Sequence, residues 1–168
     1  MTLQFNPSAS AASRLGEANL IAIVVSQYND HITTSLCDAA VATLLANGIQ
    51  DSEVMVLRVP GAWELVYATQ QVMSKSNCRG VIALGAVIKG ETTHDQHINR
   101  AVSMGLMRLS IDNGKPVGFG LLTVNSLEQA IQRSGGTVGN KGEEAANALL
   151  DCLKLSRSME DIANQSGF

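Results

Sequence analysis

From Leu20 onward, short and nearly unbroken apolar runs alternate with longer stretches in which apolar residues return every three or four positions. The runs at 20–26, 54–59, 80–88 and 117–123 have strand length and are rich in Val, Ile and Leu. Lacking a polar face, each predicts a strand buried on both sides. Between the first two, Ile32, Leu36, Ala40 and Leu44 recur every four residues up to Gly48, which predicts a helix ended by glycine. Further helices are predicted at about 63–75, 94–110, 127–134 and 142–155, with turn chemistry at Asn113-Gly114-Lys115-Pro116. The order β-α-β-α-β-α-β-α-α predicts one domain over residues 19–158, an α/β three-layer sandwich around a four-stranded parallel sheet, doubly wound and flavodoxin-like. Residues 1–18, rich in Ser, Ala and Asn without period, read as an N-terminal arm, and 159–168 as a C-terminal tail.

Composition narrows the function classes. With 45% hydrophobic and 16% charged residues the chain is globular and slightly poor in charge, which leaves apolar surface for partner subunits. A net charge of −3 and 4% aromatics disfavour binding to nucleic acid or a membrane surface. The three cysteines are far apart and form no CxxC pair, so reduced thiols in a cytoplasmic protein are expected. No signal peptide is read at the N-terminus, and the apolar run at 20–25 is far shorter than the roughly 18 residues a membrane span needs.

In such sheets ligands bind beyond the carboxyl ends of the strands, and the polar turns of this chain gather there. After the third strand come Gly90, Glu91, Thr92, Thr93 and His94. A threonine at a helix start either caps it or, with the free N–H groups, cradles phosphate. His94 is the best general acid or base in the chain, although a histidine there is often only a surface group. His94 and His97 lack a third ligand at recognisable spacing, so no metal is expected; His31 is expected to face solvent. In the Pro60-Gly61-Ala62-Trp63-Glu64 run, Glu64 either complements the helix dipole or accepts bonds from a polyol, and Trp63 reads as packing. Tyr28-Asn29 can stack on and read a planar ring, or simply turn the chain, with Asn29 or Asp30 capping the next helix. Arg133 is followed by a glycine-rich stretch reaching Lys141 and Gly142 that is neither a Walker loop nor a GxGxxG fingerprint; it suggests close ligand or subunit approach.

Taken together, Tyr28-Asn29, the run at 60–64, the run at 85–94, the Pro-Val-x-Phe-Gly-Leu-Leu-Thr run at 116–123 and the segment at 127–142 resemble the lumazine synthase family, in order and spacing, over roughly residues 20–155. The resemblance implies a transferase of riboflavin biosynthesis. It would condense 5-amino-6-(D-ribitylamino)uracil with 3,4-dihydroxy-2-butanone 4-phosphate to 6,7-dimethyl-8-ribityllumazine, without a cofactor. It implies that Tyr28 stacks on the pyrimidine beside Asn29, that Gly61, Ala62 and Glu64 bind substrate, with Glu64 on the ribityl hydroxyls, and that Val87 and Ile88 meet the uracil edge through their backbone. Glu91 and Thr92 would hold phosphate with Arg133, and His94 would shuttle protons. Phe119 would meet the ribityl chain and Lys141 the pyrimidine carbonyl. Phe119, Arg133 and Lys141 would come from a neighbouring subunit of a pentamer.

Two positions depart from the family pattern: Asp95 follows the histidine and Glu143 stands where an aromatic residue is common. A carboxylate beside His94 would tend to raise its pKa. The short stretch from Arg133 to Lys141 implies a hollow icosahedral shell of sixty subunits, with free pentamers as the alternative. Competing readings are a non-catalytic flavin- or lumazine-binding cage of the same fold and a flavodoxin-like redox module.

Overall fold

The computed structural model describes residues 19–166; the arm at 1–18 lies outside the described residues. Four parallel strands, β1 (Leu20–Ser26), β2 (Val54–Val59), β3 (Cys78–Ile88) and β4 (Val117–Val124), form one sheet in the order β2-β1-β3-β4. The helices are α1 (Asp30–Ala46), α2 (Glu64–Met73), α3 (His94–Asn113), α4 (Leu127–Gln132) and α5 (Lys141–Ser166). The predicted three-layer sandwich is therefore present, and the alternation of side chains along each strand divides its core in two. Ile21, Ile23, Val25, Ile82 and Leu84 pack with Leu36, Leu44 and Leu149 toward α1 and α5. Leu20, Ala22, Val24, Val81 and Ala83 pack with Leu65, Met73 and Leu106 toward α2 and α3. Each large aliphatic side chain buried this way contributes about 1.5–3 kcal/mol, which is why the central strands carry no polar face.

The chain leaves β1 toward β2 on one side and returns to β3 on the other, so the crevice between the ends of β1 and β3 is the switch point of the winding. Asn29 stands there with φ 61° and ψ 48°, a left-handed conformation. It makes no side-chain cap on α1, contrary to the cap expected from its position. Its Nδ2 instead donates to the carbonyl of Ala86 at 3.0 Å, tying the two strand ends together. Nearby, Gln27 N donates to Val59 O at 2.8 Å, which joins the end of β1 to that of β2.

The last helix runs to Ser166, well past the predicted end near residue 155, and residues 159–166, expected as a tail, lie in it. The glycine-rich stretch holds a small antiparallel pair, β5 (Ser134–Gly136) and β6 (Gly139–Asn140). Its close approach is within the chain: a Cβ at Gly142 would overlap the carbonyl of Leu36, so glycine lets α5 cross α1. Asn140 Oδ1 accepts from Gly142 N at 2.8 Å and satisfies one open donor at the start of α5. No helix among the described residues is long and apolar enough to cross a membrane.

Candidate active site

The carboxyl ends of the strands enclose a cleft of about 300 Å³ lined by Tyr28, Gly61, Ala62, Trp63, Glu64, Ala86, Val87, Ile88, His94 and Ile98. Each wall follows from local sequence. β3 stays apolar to Ile88, so the backbone at Val87 and Ile88 reaches the cleft floor before the chain turns polar. Pro60 and Gly61 end β2 and let α2 start at once with an acidic residue in its first turn. Glu64 turns back to that start: its Oε2 accepts from Gly61 N at 2.9 Å. This is the helix-start role expected of it, and one oxygen is held by the turn.

The 90–94 turn supplies the titratable group. Thr93 sits at the start of α3 but makes no side-chain cap. Thr92 does not cap either; its Oγ1 lies 2.6 Å from His94 Nδ1. Asp95 Oδ1 is buried without a hydrogen-bond partner among the described residues. Glu91 and Thr92 are exposed and, like Asn29, are not among the residues lining the cleft. His31 is exposed, as expected.

Three of the sequence-derived residues lie elsewhere in the protomer. Phe119 lines a second, apolar groove of about 360 Å³ with Ser103, Met104, Leu106, Met107, Ser110 and Val117. Arg133 is exposed at the end of α4, and its carbonyl accepts from Lys141 N at 2.9 Å, so these two cations are neighbours along the backbone. Lys141 Nζ is 2.7 Å from Glu144 Oε2. None of the three lines the 300 Å³ cleft.

Trp63, expected to pack rather than meet a ligand, is 60% exposed in the protomer. It borders both the cleft and a third groove of about 380 Å³ shared with Val66, Tyr67, Ala101 and Val102. The side chain follows the Gly-Ala turn directly and leaves apolar surface open in the protomer. Ile98, one turn into α3, is a lining residue that no motif marks; its spacing of four from Val102, and of Val102 from Leu106, is the available signal.

A family model described as 6,7-dimethyl-8-ribityllumazine synthase matches residues 19–157. The chain belongs to that family. A 6,7-dimethyl-8-ribityllumazine synthase of Rhodopirellula baltica is 55% identical over 139 residues, covering 83% of this chain and 90% of the relative. Relatives with the same name from Nitratidesulfovibrio vulgaris and Pediococcus pentosaceus are 41% and 38% identical, covering 82% and 83% of this chain and 88% and 90% of their own lengths. The lumazine synthases are transferases.

Proposed function

We propose that this chain forms 6,7-dimethyl-8-ribityllumazine from 5-amino-6-(D-ribitylamino)uracil and 3,4-dihydroxy-2-butanone 4-phosphate, in sites built by two adjacent copies. The observation that carries the reading is the lining of the strand-end cleft by Tyr28, Glu64, Val87, Ile88 and His94 in a member of the lumazine synthase family.

Tyr28, 72% exposed, stacks on the pyrimidine, with Asn29 beside it, and the backbone of Val87 and Ile88 reads the uracil edge. The free oxygen of Glu64 takes ribityl hydroxyls, and Gly61 and Ala62 leave room for them. Glu91, through its backbone, and Thr92 hold phosphate at the start of α3, where open N–H groups favour an anion. The amine attacks the ketone and the first water leaves as the imine forms, phosphate departs, and ring closure loses a second water. His94 carries protons between these steps. Both substrates arrive activated, so orientation supplies much of the barrier reduction, and proton transfer adds about 10²–10⁴-fold.

Assembly completes the site. The Phe119 groove and the Trp63–Tyr67 groove are different apolar surfaces on two sides of α3. Joining one to the other gives a head-to-tail contact, which closes into a ring; we take the ring to be a pentamer. It brings Phe119, Arg133 and Lys141 of one copy to the cleft of the next, with Lys141 exchanging Glu144 for a pyrimidine carbonyl. The short connection from Arg133 to Lys141 leaves the pentamer able to build a sixty-subunit shell. Buried, reduced Cys37 and Cys78 suit a cytoplasmic setting. The test is product absorbance on mixing the two substrates. His94→Ala should slow turnover about 10²-fold or more without abolishing it. Arg133→Ala should weaken the phosphate-bearing substrate more than the uracil; equal weakening of both contradicts its role.

A further inference from the structure

The turn into α3 holds two contacts that the mechanism above does not use. Thr92 Oγ1 lies 2.6 Å from His94 Nδ1. Across the ring, Cε1 rests on Gly90, where an added Cβ would stand only 3.0 Å away. The imidazole is thus seated by residues two and four positions before it, while the ring as a whole stays exposed to solvent. A threonine hydroxyl has one proton to give and lone pairs with which to accept. It cannot donate to a phosphate oxygen and to a ring nitrogen at the same time.

We infer that Thr92 is a positioning residue that sets the tautomer of His94 according to whether phosphate is bound, with Gly90 giving the ring the seat on which this happens. The inference rests on Thr92 holding phosphate and His94 carrying protons. With no anion present, the Thr92 hydroxyl donates to Nδ1, and the ring proton resides on Nε2. When phosphate arrives, the hydroxyl turns to donate to a phosphate oxygen. Its Oγ1 then accepts from Nδ1–H, and Nε2 carries the lone pair. One proton leaves Nε2 and one joins Nδ1 through solvent, so the ring stays neutral and no net proton is taken up. His94 becomes a base at Nε2 only while the phosphate-bearing substrate is in place. A proton taken up at Nε2 makes the ring an imidazolium, and giving it back when water is lost returns the neutral ring; departure of phosphate then turns the hydroxyl back and restores Nε2–H. One side chain would thereby confine the base at Nε2 to the phosphate-bound part of a turnover.

The experiment is nitrogen NMR of the assembled full-length protein with labelled histidine, with and without saturating inorganic phosphate, phosphate binding being followed by calorimetry. Wild type should move from Nε2–H to Nδ1–H on phosphate binding, and Thr92→Ser should do the same. Thr92→Val should hold one tautomer with or without phosphate, and its kcat should fall about 10-fold to 100-fold while KM for the uracil is unchanged. Gly90→Ala, which keeps the hydroxyl but crowds Cε1, should lower kcat and leave phosphate affinity in place. Phosphate that binds wild type without moving the ring proton overturns the inference, as does a Thr92→Val protein that still switches. Neither result touches the proposed activity, which fails by a separate readout, the absence of lumazine from wild type and both substrates.

Discussion

On one face of the sheet, α1 and α5 close over Ile21, Ile23, Ile82, Leu84 and Leu122, and the inward residues of α1, Ile32, Leu36, Ala40 and Leu44, are all buried. On the other face, α3 buries only Val102 and Leu106 among its 20 residues. Met104, Met107 and Ile111 of the same helix stay exposed, as do Trp63 and Tyr67 beside it. The first face buries its inward stripes inside the protomer, and its exposed apolar residues, Leu45, Leu155, Met159 and Ile162, do not line the candidate cleft. The second carries more apolar surface than its own sheet can cover, arranged as two unlike grooves. The contrast is between a layer that covers its side of the sheet within the protomer and one that leaves apolar surface open beside the candidate cleft, the surface that the proposed assembly would cover.

Breaking the unfinished face should have the largest effect. The double variant Met104→Asp/Met107→Asp should remain folded by circular dichroism, sediment as a 17.7 kDa monomer, and lose about 10²-fold or more of its activity through loss of neighbour-donated groups. Rings that persist with these charges in place contradict the assignment of that groove to assembly. The finished face should respond differently: Leu36→Ala should cost about 3 kcal/mol of stability, read by denaturant unfolding, while the assembly state below the transition is unchanged.

The smallest effects come from the thiols. Burial raises the Cys37 pKa from 9.0 to about 11, and burial also raises that of Cys78. In the unfolded chain Cys37 loses its proton near 9.0, in the folded one near 11. Its contribution to stability is thus complete below 9.0 and declines as pH rises toward 11, a loss of about 2 kcal/mol. Cys37→Ser should flatten that alkaline decline. At neutral pH a thiol reagent should modify Cys152, which is exposed, and spare Cys37 and Cys78.

Much of this architecture was legible because single physical demands dominate. A strand buried on both faces has to be apolar throughout, so β1 and the apolar body of β3 stand out in the sequence. The inward stripe of α1 is equally plain. The end of α5 was not, because 156–166 is rich in polar residues with only Met159 and Ile162 to mark a face, and both are exposed. Asn29 reads equally as a ring contact, a turn or a cap, and its left-handed backbone, which no residue pattern marks, aims the amide at Ala86 O across the switch point. Trp63 reads as packing because large aromatics mostly serve that role, and nothing in the sequence signals that it is 60% exposed in the protomer and borders the cleft. Within the site, His94, Glu64 and Tyr28 were visible as motif residues, whereas Ile98 depends on how α3 lies against the strand ends.

The most direct measurement mixes two damaged proteins. His94→Ala keeps Arg133, and Arg133→Ala keeps His94, so co-assembly in equal amounts should create some clefts with His94 from one copy and Arg133 from the next. In a randomly mixed head-to-tail ring about one quarter of the sites are whole. Activity should therefore rise well above that of either variant, toward a quarter of wild type. A mixture no more active than the average of its parts, in rings shown by native mass to contain both variants, would contradict a site shared between neighbours.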